Sequence, residues 1–226
     1  MRALTLVLAA LTFACSSGTT TGDDGGTGDD DGGQASDSQQ EAQAPAIKRV
    51  FVTSIGYAPN WGGPEKADTL CTNVANGAGL GGKWVAWVSI GAPNVPDVPI
   101  DRITQYGANP NAGPWYLVDQ TTKVFANVGA LSGAPLVPIN QDESGGAVPP
   151  LTGAWTGTLV GGTASTDDCS GWSTTFSPTT ATVGTPAYNG ADKKPADWTE
   201  GNAAASIQDQ QFSYCNDKHS LICFEQ

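Results

Sequence analysis

Ser220-Leu221-Ile222-Cys223-Phe224-Glu225-Gln226 closes the chain, and the reading of this stretch decides the fold. Four apolar residues in a row, flanked by polar ones, have the length and character of a buried strand. A second apolar strand candidate, Phe212-Ser213-Tyr214-Cys215, precedes it and also ends in cysteine. Cys71 and Cys169 lie further upstream. Four cysteines in an exported chain make a framework of two disulfides, with three pairings open. The fifth, Cys15, belongs to a different part of the chain.

Residues 3–13 are almost wholly apolar and follow the single charge of Arg2. A basic start, a hydrophobic run and a small residue before the cut make a secretory signal. The run is too short for a bilayer, which needs about 20 residues. Ala14-Cys15 resembles the bacterial lipobox, where cleavage exposes a cysteine that carries diacylglycerol. Residues 1–14 are therefore expected to be a lipoprotein signal peptide. Cys15 is the expected lipidation site, and its acyl chains are the expected membrane contact. Ser16 is unlike the aspartate that retains lipoproteins at the inner membrane of enteric bacteria. The expected location is the bacterial envelope, at the outer membrane or cell surface.

Residues 16–46 contain Gly, Asp, Ser, Thr and Gln in abundance, with no aromatic or branched aliphatic residue before Ile47. Asp23, Asp24, Asp29, Asp30, Asp31, Asp37 and Glu41 face no positive charge there. Such a segment buries too little apolar surface to offset its ordering entropy, so it reads as a disordered acidic tether. Its Gly-Asp repeats lack the large apolar residue of a calcium β-roll and the terminal Glu of an EF-hand.

Residues 47–226 suit one domain. Seven of the 22 acids lie before them, so this part is only mildly acidic, and it holds all seven tryptophans. No basic patch is visible, which argues against nucleic acid as a partner. Lys48–Ser54 reads as a strand. Pro64 and Glu65 open a helix whose apolar face is Ala67, Leu70, Cys71, Val74, Ala75 and Ala78, ended by Asn76-Gly77 and Gly79. Cys71 therefore points inward. Lys83–Ile90 is a buried strand, and Asp101-Arg102-Ile103 a short helix after Pro96 and Pro99. Trp115–Asp119 and Lys123–Ala126 make a hairpin around Gln120–Thr122. From about 127 to 205 regular signals thin out into long loops.

This order resembles the C-type lectin-like fold, an α+β architecture with long irregular loops. It resembles one branch closely, the bacterial endostatin-like domain of surface lipoproteins, including the leptospiral endostatin-like family. The resemblance rests on Val50–Ser54, Ala67-Asp68 through Cys71, Ala78–Leu80, Trp84–Ser89, Asp101-Arg102, Pro114–Asp119, Trp155–Thr158, Cys169–Trp172 and Leu221–Gln226. It implies nested disulfides, Cys71–Cys223 and Cys169–Cys215. Linking the first helix to the last strand would hold the two ends side by side, so that 49–54 pairs with 219–224. The chain-entropy contributions would be about 5 and about 4 kcal/mol.

Sugar-binding members of the fold carry calcium ligands in a Glu-Pro-Asn triplet and just before the third cysteine. Here that slot is Gln211-Phe212-Ser213-Tyr214, and Asn216-Asp217 falls after Cys215. The pairs Asp142-Glu143 and Asp167-Asp168 could supply hard oxygens, although solvated loops are the plainer reading. His219, the only histidine, cannot make a zinc cluster and reads as a strand-edge residue. No metal or cofactor is expected. A Ser-His-Asp triad would have to use His219, and no nucleophile elbow is present; no catalysis is expected. The resulting expectation is a binding domain that takes protein or polysaccharide through its loops. Trp155, Trp172 and Trp198 are its candidate contacts, with core as the plainer reading of each. Members of the leptospiral family bind host matrix and complement proteins, and a calcium-independent carbohydrate module or a carboxylate-dependent hydrolase is the alternative.

Overall fold

The structure is a computed structural model that describes residues 47–91, 96–150, 152–188, 195–200 and 212–226. The signal peptide, Cys15 and the tether lie outside the described residues.

The elements in chain order are β1 (Lys48–Val52), α1 (Pro64–Gly77), β2 (Trp84–Ala86), α2 (Pro99–Ile103), β3 (Trp115–Tyr116), β4 (Lys123–Phe125), β5 (Ala154–Trp155), β6 (Thr180–Gly184), β7 (Phe212–Tyr214) and β8 (Ile222–Glu225). This is a mixed α/β fold with few helices and two disulfides, Cys71–Cys223 and Cys169–Cys215. The larger sheet runs β2-β8-β1-β3-β4. The closing stretch lies inside it, with β8 antiparallel to both β1 and β2. Val50 faces Phe224, Phe51 faces Cys223 and Val52 faces Ile222, so the two ends of the domain pair as expected.

Alternation then sorts the side chains onto two faces. Val50, Val52, Val85, Ile222 and Phe224 join Trp87, Trp115, Phe125 and Trp198 on one side. Phe51, Trp84, Ala86 and Cys223 join Trp155, Trp172 and α1 on the other. A sheet buried on both faces has strands that read as continuous apolar runs rather than alternating ones, as Leu221–Phe224 does.

Pro64 stands in the first turn of α1 with Glu65 beside it, and the helix ends at Gly77. Its buried face is Pro64, Ala67, Cys71 and Ala75. These small residues let the helix lie close to the sheet, with 5.6 Å between the Cα atoms of Cys71 and Cys223. The short second helix starts on Pro99 itself, where the missing N–H costs nothing.

The stretch expected to be irregular contains β5 and β6, which with β7 form a second antiparallel sheet ordered β5-β6-β7. Thr180-Ala181-Thr182-Val183 is β-branched at three of four positions, but the prolines and glycines around it conceal so short a strand. Between β5 and β6, Cys169, Ser170, Gly171 and Trp172 all have positive φ (51°, 56°, 68° and 59°), giving a left-handed turn. Each non-glycine residue there costs about 1–2 kcal/mol. The turn is held by Asp168, whose carboxylate accepts from Gly171 N–H and whose carbonyl accepts from Trp172 N–H. The disulfide to Cys215 and the Trp172 indole, which donates to the Ser89 carbonyl, hold it further.

Candidate functional site

The three tryptophans expected as candidate contacts are core residues. Trp155, Trp172 and Trp198 are each 0 % exposed, so none offers a ligand surface. Each indole N–H donates to a backbone carbonyl: Tyr57 for Trp155, Ser89 for Trp172 and Gly133 for Trp198. A buried indole needs such a partner, and these bonds tie loops to the sheets. Trp61 is the one tryptophan that reaches solvent, stacked on Trp172 with 5.2 Å between ring centroids.

Three exposed aromatic residues lie on β7 and the turn into β6, while a fourth, Tyr106, follows α2. In β7 the pattern is exposed, buried, exposed, with Phe212 at 37 % and Tyr214 at 50 %. They stand opposite Thr182 and Thr180 of β6. Phe176, 67 % exposed, opens the turn into β6, where its carbonyl accepts from Thr179 N–H. The Thr179 carbonyl in turn accepts from Cys215 N–H, which ties this turn to the end of β7. The sequence reading took 212–215 as an apolar strand and missed the surface. A signal was available: Cys215 must face inward to form its disulfide, so Ser213 shares its face and Phe212 and Tyr214 do not.

His219 lies beside β7. Its Nε2 is 2.8 Å from Ser213 Oγ, and Ser213 Oγ donates to Asp217 at 2.7 Å. Trp155 meets the imidazole edge-on at 4.5 Å, and burial lowers its pKa against the opposing pull of Asp217. The three residue types of a triad are present, but the carboxylate holds the serine rather than the far imidazole nitrogen. The single serine proton is directed to Asp217, and His219 is left as donor to Oγ. The trio links β7 to the turn 215–219 through the Ser213 hydroxyl. The backbone of His219 also exchanges bonds with Tyr57, which matches its expected edge role.

The acidic pairs are occupied by loop contacts rather than simply solvated. Glu143 accepts from Ser54 N–H and Oγ–H, and Asp142 accepts from Ser144 and Gly146 N–H. Asp168 accepts from Gly91 N–H as well as Gly171, and Asp167 accepts from Thr180 Oγ1. Among the described residues no three His, Cys, Asp or Glu side chains lie together as metal ligands.

A shallow cleft of about 320 Å³ opens along the outer edge of β2, lined by Asp68, Thr69, Thr72, Lys83, Trp84, Val85 and Gln226. β2 ends its sheet, and side chains take the place of a further strand. Asp68 Oδ1 accepts from Ala86 N–H at 2.8 Å. Arg102 Nη2 donates to the carbonyls of Ala86 and Val88. Arg102 is almost fully buried and pairs with Asp97 at 2.7 Å and with Asp68 at 3.1 Å. Its own carbonyl accepts from Gln226 Nε2 at 2.7 Å. One guanidinium thus serves two carboxylates and sits closer to Asp97. Burial dominates at Asp68 and pushes its pKa up to about 6, against the lowering influence of Arg102 and the Ala86 N–H. Sequence reasoning marked Asp68 and Arg102 only as carriers of a resemblance, because their partners are spread from residue 86 to residue 226.

No protein-family model matches the chain, and no curated protein is similar to it in sequence.

Proposed function

We propose that the chain is a lipid-anchored envelope protein that presents a C-type lectin-like, endostatin-like domain on an acidic tether and binds protein without catalysis. The nested disulfides and the pairing of β1 with β8 are consistent with that fold. The observation that carries the binding reading is the aromatic surface of Phe176, Phe212 and Tyr214. Aromatic side chains supply large contact area with few torsions to order, and they dominate protein interfaces. The non-catalytic reading is supported by Asp217, which bonds to the Ser213 hydroxyl and not to the His219 ring, as the orienting carboxylate of a triad would.

The test compares the full chain with the triple variant Phe176→Ser, Phe212→Ser, Tyr214→Ser on immobilised extracellular matrix proteins, complement proteins and a glycan array. The expected result is saturable capture of a protein, lost in the variant while its thermal unfolding stays cooperative. Specific glycan capture that survives the triple substitution would replace this reading with the carbohydrate one.

A further inference from the structure

The two sheets present outer edges at β2, β4, β5 and β7, and an edge strand carries backbone groups that its own sheet does not satisfy. At β2, Ala86 N–H donates to Asp68 and the Ala86 carbonyl accepts from Arg102. At β4, the Val124 carbonyl accepts from Leu136 N–H. At β5, Trp155 N–H donates to the Ser220 carbonyl, and Ser220 N–H donates to the Gly153 carbonyl. The edge of β7 is open. Cys215 N–H donates to the Thr179 carbonyl, so Cys215 and Ser213 turn their peptide groups toward β6. Bonding alternates along an antiparallel pair, so Phe212 and Tyr214 turn theirs away. Thr182, opposite Phe212, agrees: it donates to Asp167 and accepts from Thr156 and Gly157, on the side of β6 away from β7. The Tyr214 carbonyl accepts from Asp217 N–H. Phe212 N–H, the Phe212 carbonyl and Tyr214 N–H have no partner among the described residues.

We propose that this edge takes an extended segment of a partner protein as an added antiparallel strand, with apolar side chains at alternate positions packed beside Phe212 and Tyr214. The inference rests on the aromatic surface proposed above and names what that surface receives. The three open groups match such a segment. One of its residues exchanges both bonds with Phe212, and the residue two before it accepts from Tyr214 N–H. The side chains of those two residues fall on the face that carries the exposed Phe212 and Tyr214 rings. Backbone bonds then hold the segment, and the two rings select its side chains. β7 carries neither a charge nor a proline, the devices that commonly blunt an edge. A glycan lacks a backbone of N–H and C=O groups at strand spacing. A second copy of the chain would bring the same net charge of −12 to the contact, whereas a segment flanked by lysine or arginine is drawn to it.

The test titrates the full chain with the peptide Lys-Thr-Val-Thr-Val-Thr-Lys, capped at both ends, and with a twin N-methylated at both valines. The twin keeps the side chains and lacks the N–H groups aimed at β7. Binding is read from the NMR shift of the Phe212 amide, with that of Tyr214 alongside in the wild type. The peptide is expected to bind saturably with Kd on the order of 1 mM. The twin is expected to bind about tenfold more weakly or worse, the scale of the backbone bonds removed. Tyr214→Ala and Tyr214→Pro both remove the ring, and only proline removes the N–H. That N–H takes no part in the pairing with β6, so proline is compatible with the strand. Tyr214→Pro is expected to bind about fivefold more weakly than Tyr214→Ala, the scale of one hydrogen bond, while both unfold cooperatively. The proposal is overturned if the peptide does not bind, if the twin binds equally, or if the two Tyr214 variants bind alike. It is also overturned if the same amides shift with protein concentration alone, the result expected of a second copy on the edge. Should the peptide fail while the triple variant still loses protein capture, the aromatic reading stands and the added strand alone falls.

Discussion

Replacing Asp68 by asparagine breaks one arm of a buried ion pair, yet it is expected to stabilise the protein at neutral pH. The side chain is 19 % exposed, so water screens it little. Its pKa rises from 3.8 to about 6, chiefly through burial. Each unit corresponds to 1.36 kcal/mol, so the native state disfavours the charged form by about 3 kcal/mol relative to the unfolded chain. Between pH 6 and pH 4 the native state holds more protons than the unfolded one. Wild-type stability from this group therefore rises as pH falls through 6, and is lost again as pH rises through it. Asparagine binds no proton and contributes no such slope. The variant should exceed wild type by about 3 kcal/mol at pH 7.5 and converge with it near pH 4. Urea unfolding of both proteins at four pH values from 4.5 to 7.5 measures this directly, and any titration they share cancels in the difference. The reasoning is refuted if the difference is independent of pH. It is equally refuted if the variant is less stable by about 3–5 kcal/mol at pH 7.5, the result expected where the attraction of Arg102 outweighs desolvation.

Three further outcomes follow from the same structure. His219 has a lowered pKa, so wild-type stability from this group is lost as pH falls below 6.5; His219→Gln should remove that loss, seen as a flatter pH dependence in the acid limb of the same urea series. Gly153→Ala would place its methyl 2.6 Å from His219 Nδ1, and is expected to cost about 1–3 kcal/mol in thermal unfolding and to move the His219 ring resonances. Replacing Cys71 and Cys223 by alanine opens a link spanning 152 residues, and replacing Cys169 and Cys215 opens one spanning 46; chain entropy gives about 5 and about 4 kcal/mol, so chemical denaturation should find both pairs strongly destabilised and the first slightly more.

The larger sheet and the first helix were legible because their signals are local. Pro64, the alanine-and-cysteine face and Asn76-Gly77 define α1 without reference to any other segment. The apolar runs around Phe51, Val85 and Cys223 read as strands for the same reason. The nested disulfides were legible through resemblance alone, since four cysteines allow three pairings and spacing does not choose among them. β6 was not legible, as a five-residue strand beside Pro178 and Pro186 gives no periodic run long enough to stand out. Exposure was the weakest reading. Trp155 and Phe212 are both large aromatics in loop-rich surroundings, yet the first is sealed in the core and the second faces outward.

The sequence by itself determined where covalent links are available and which segments alternate or repeat at helical spacing. Those are properties of neighbours along the chain, fixed by backbone geometry and side-chain type. Only the tertiary structure decided which aromatics meet solvent, which partner the Ser213 proton takes, and that Asp68, Asp97 and Arg102 share one charge balance. Burial and electrostatics depend on what packs around a group from distant segments. The surroundings of Asp68 are assembled from residues 86, 97, 102 and 226, so no reading confined to its neighbours could weigh its charge.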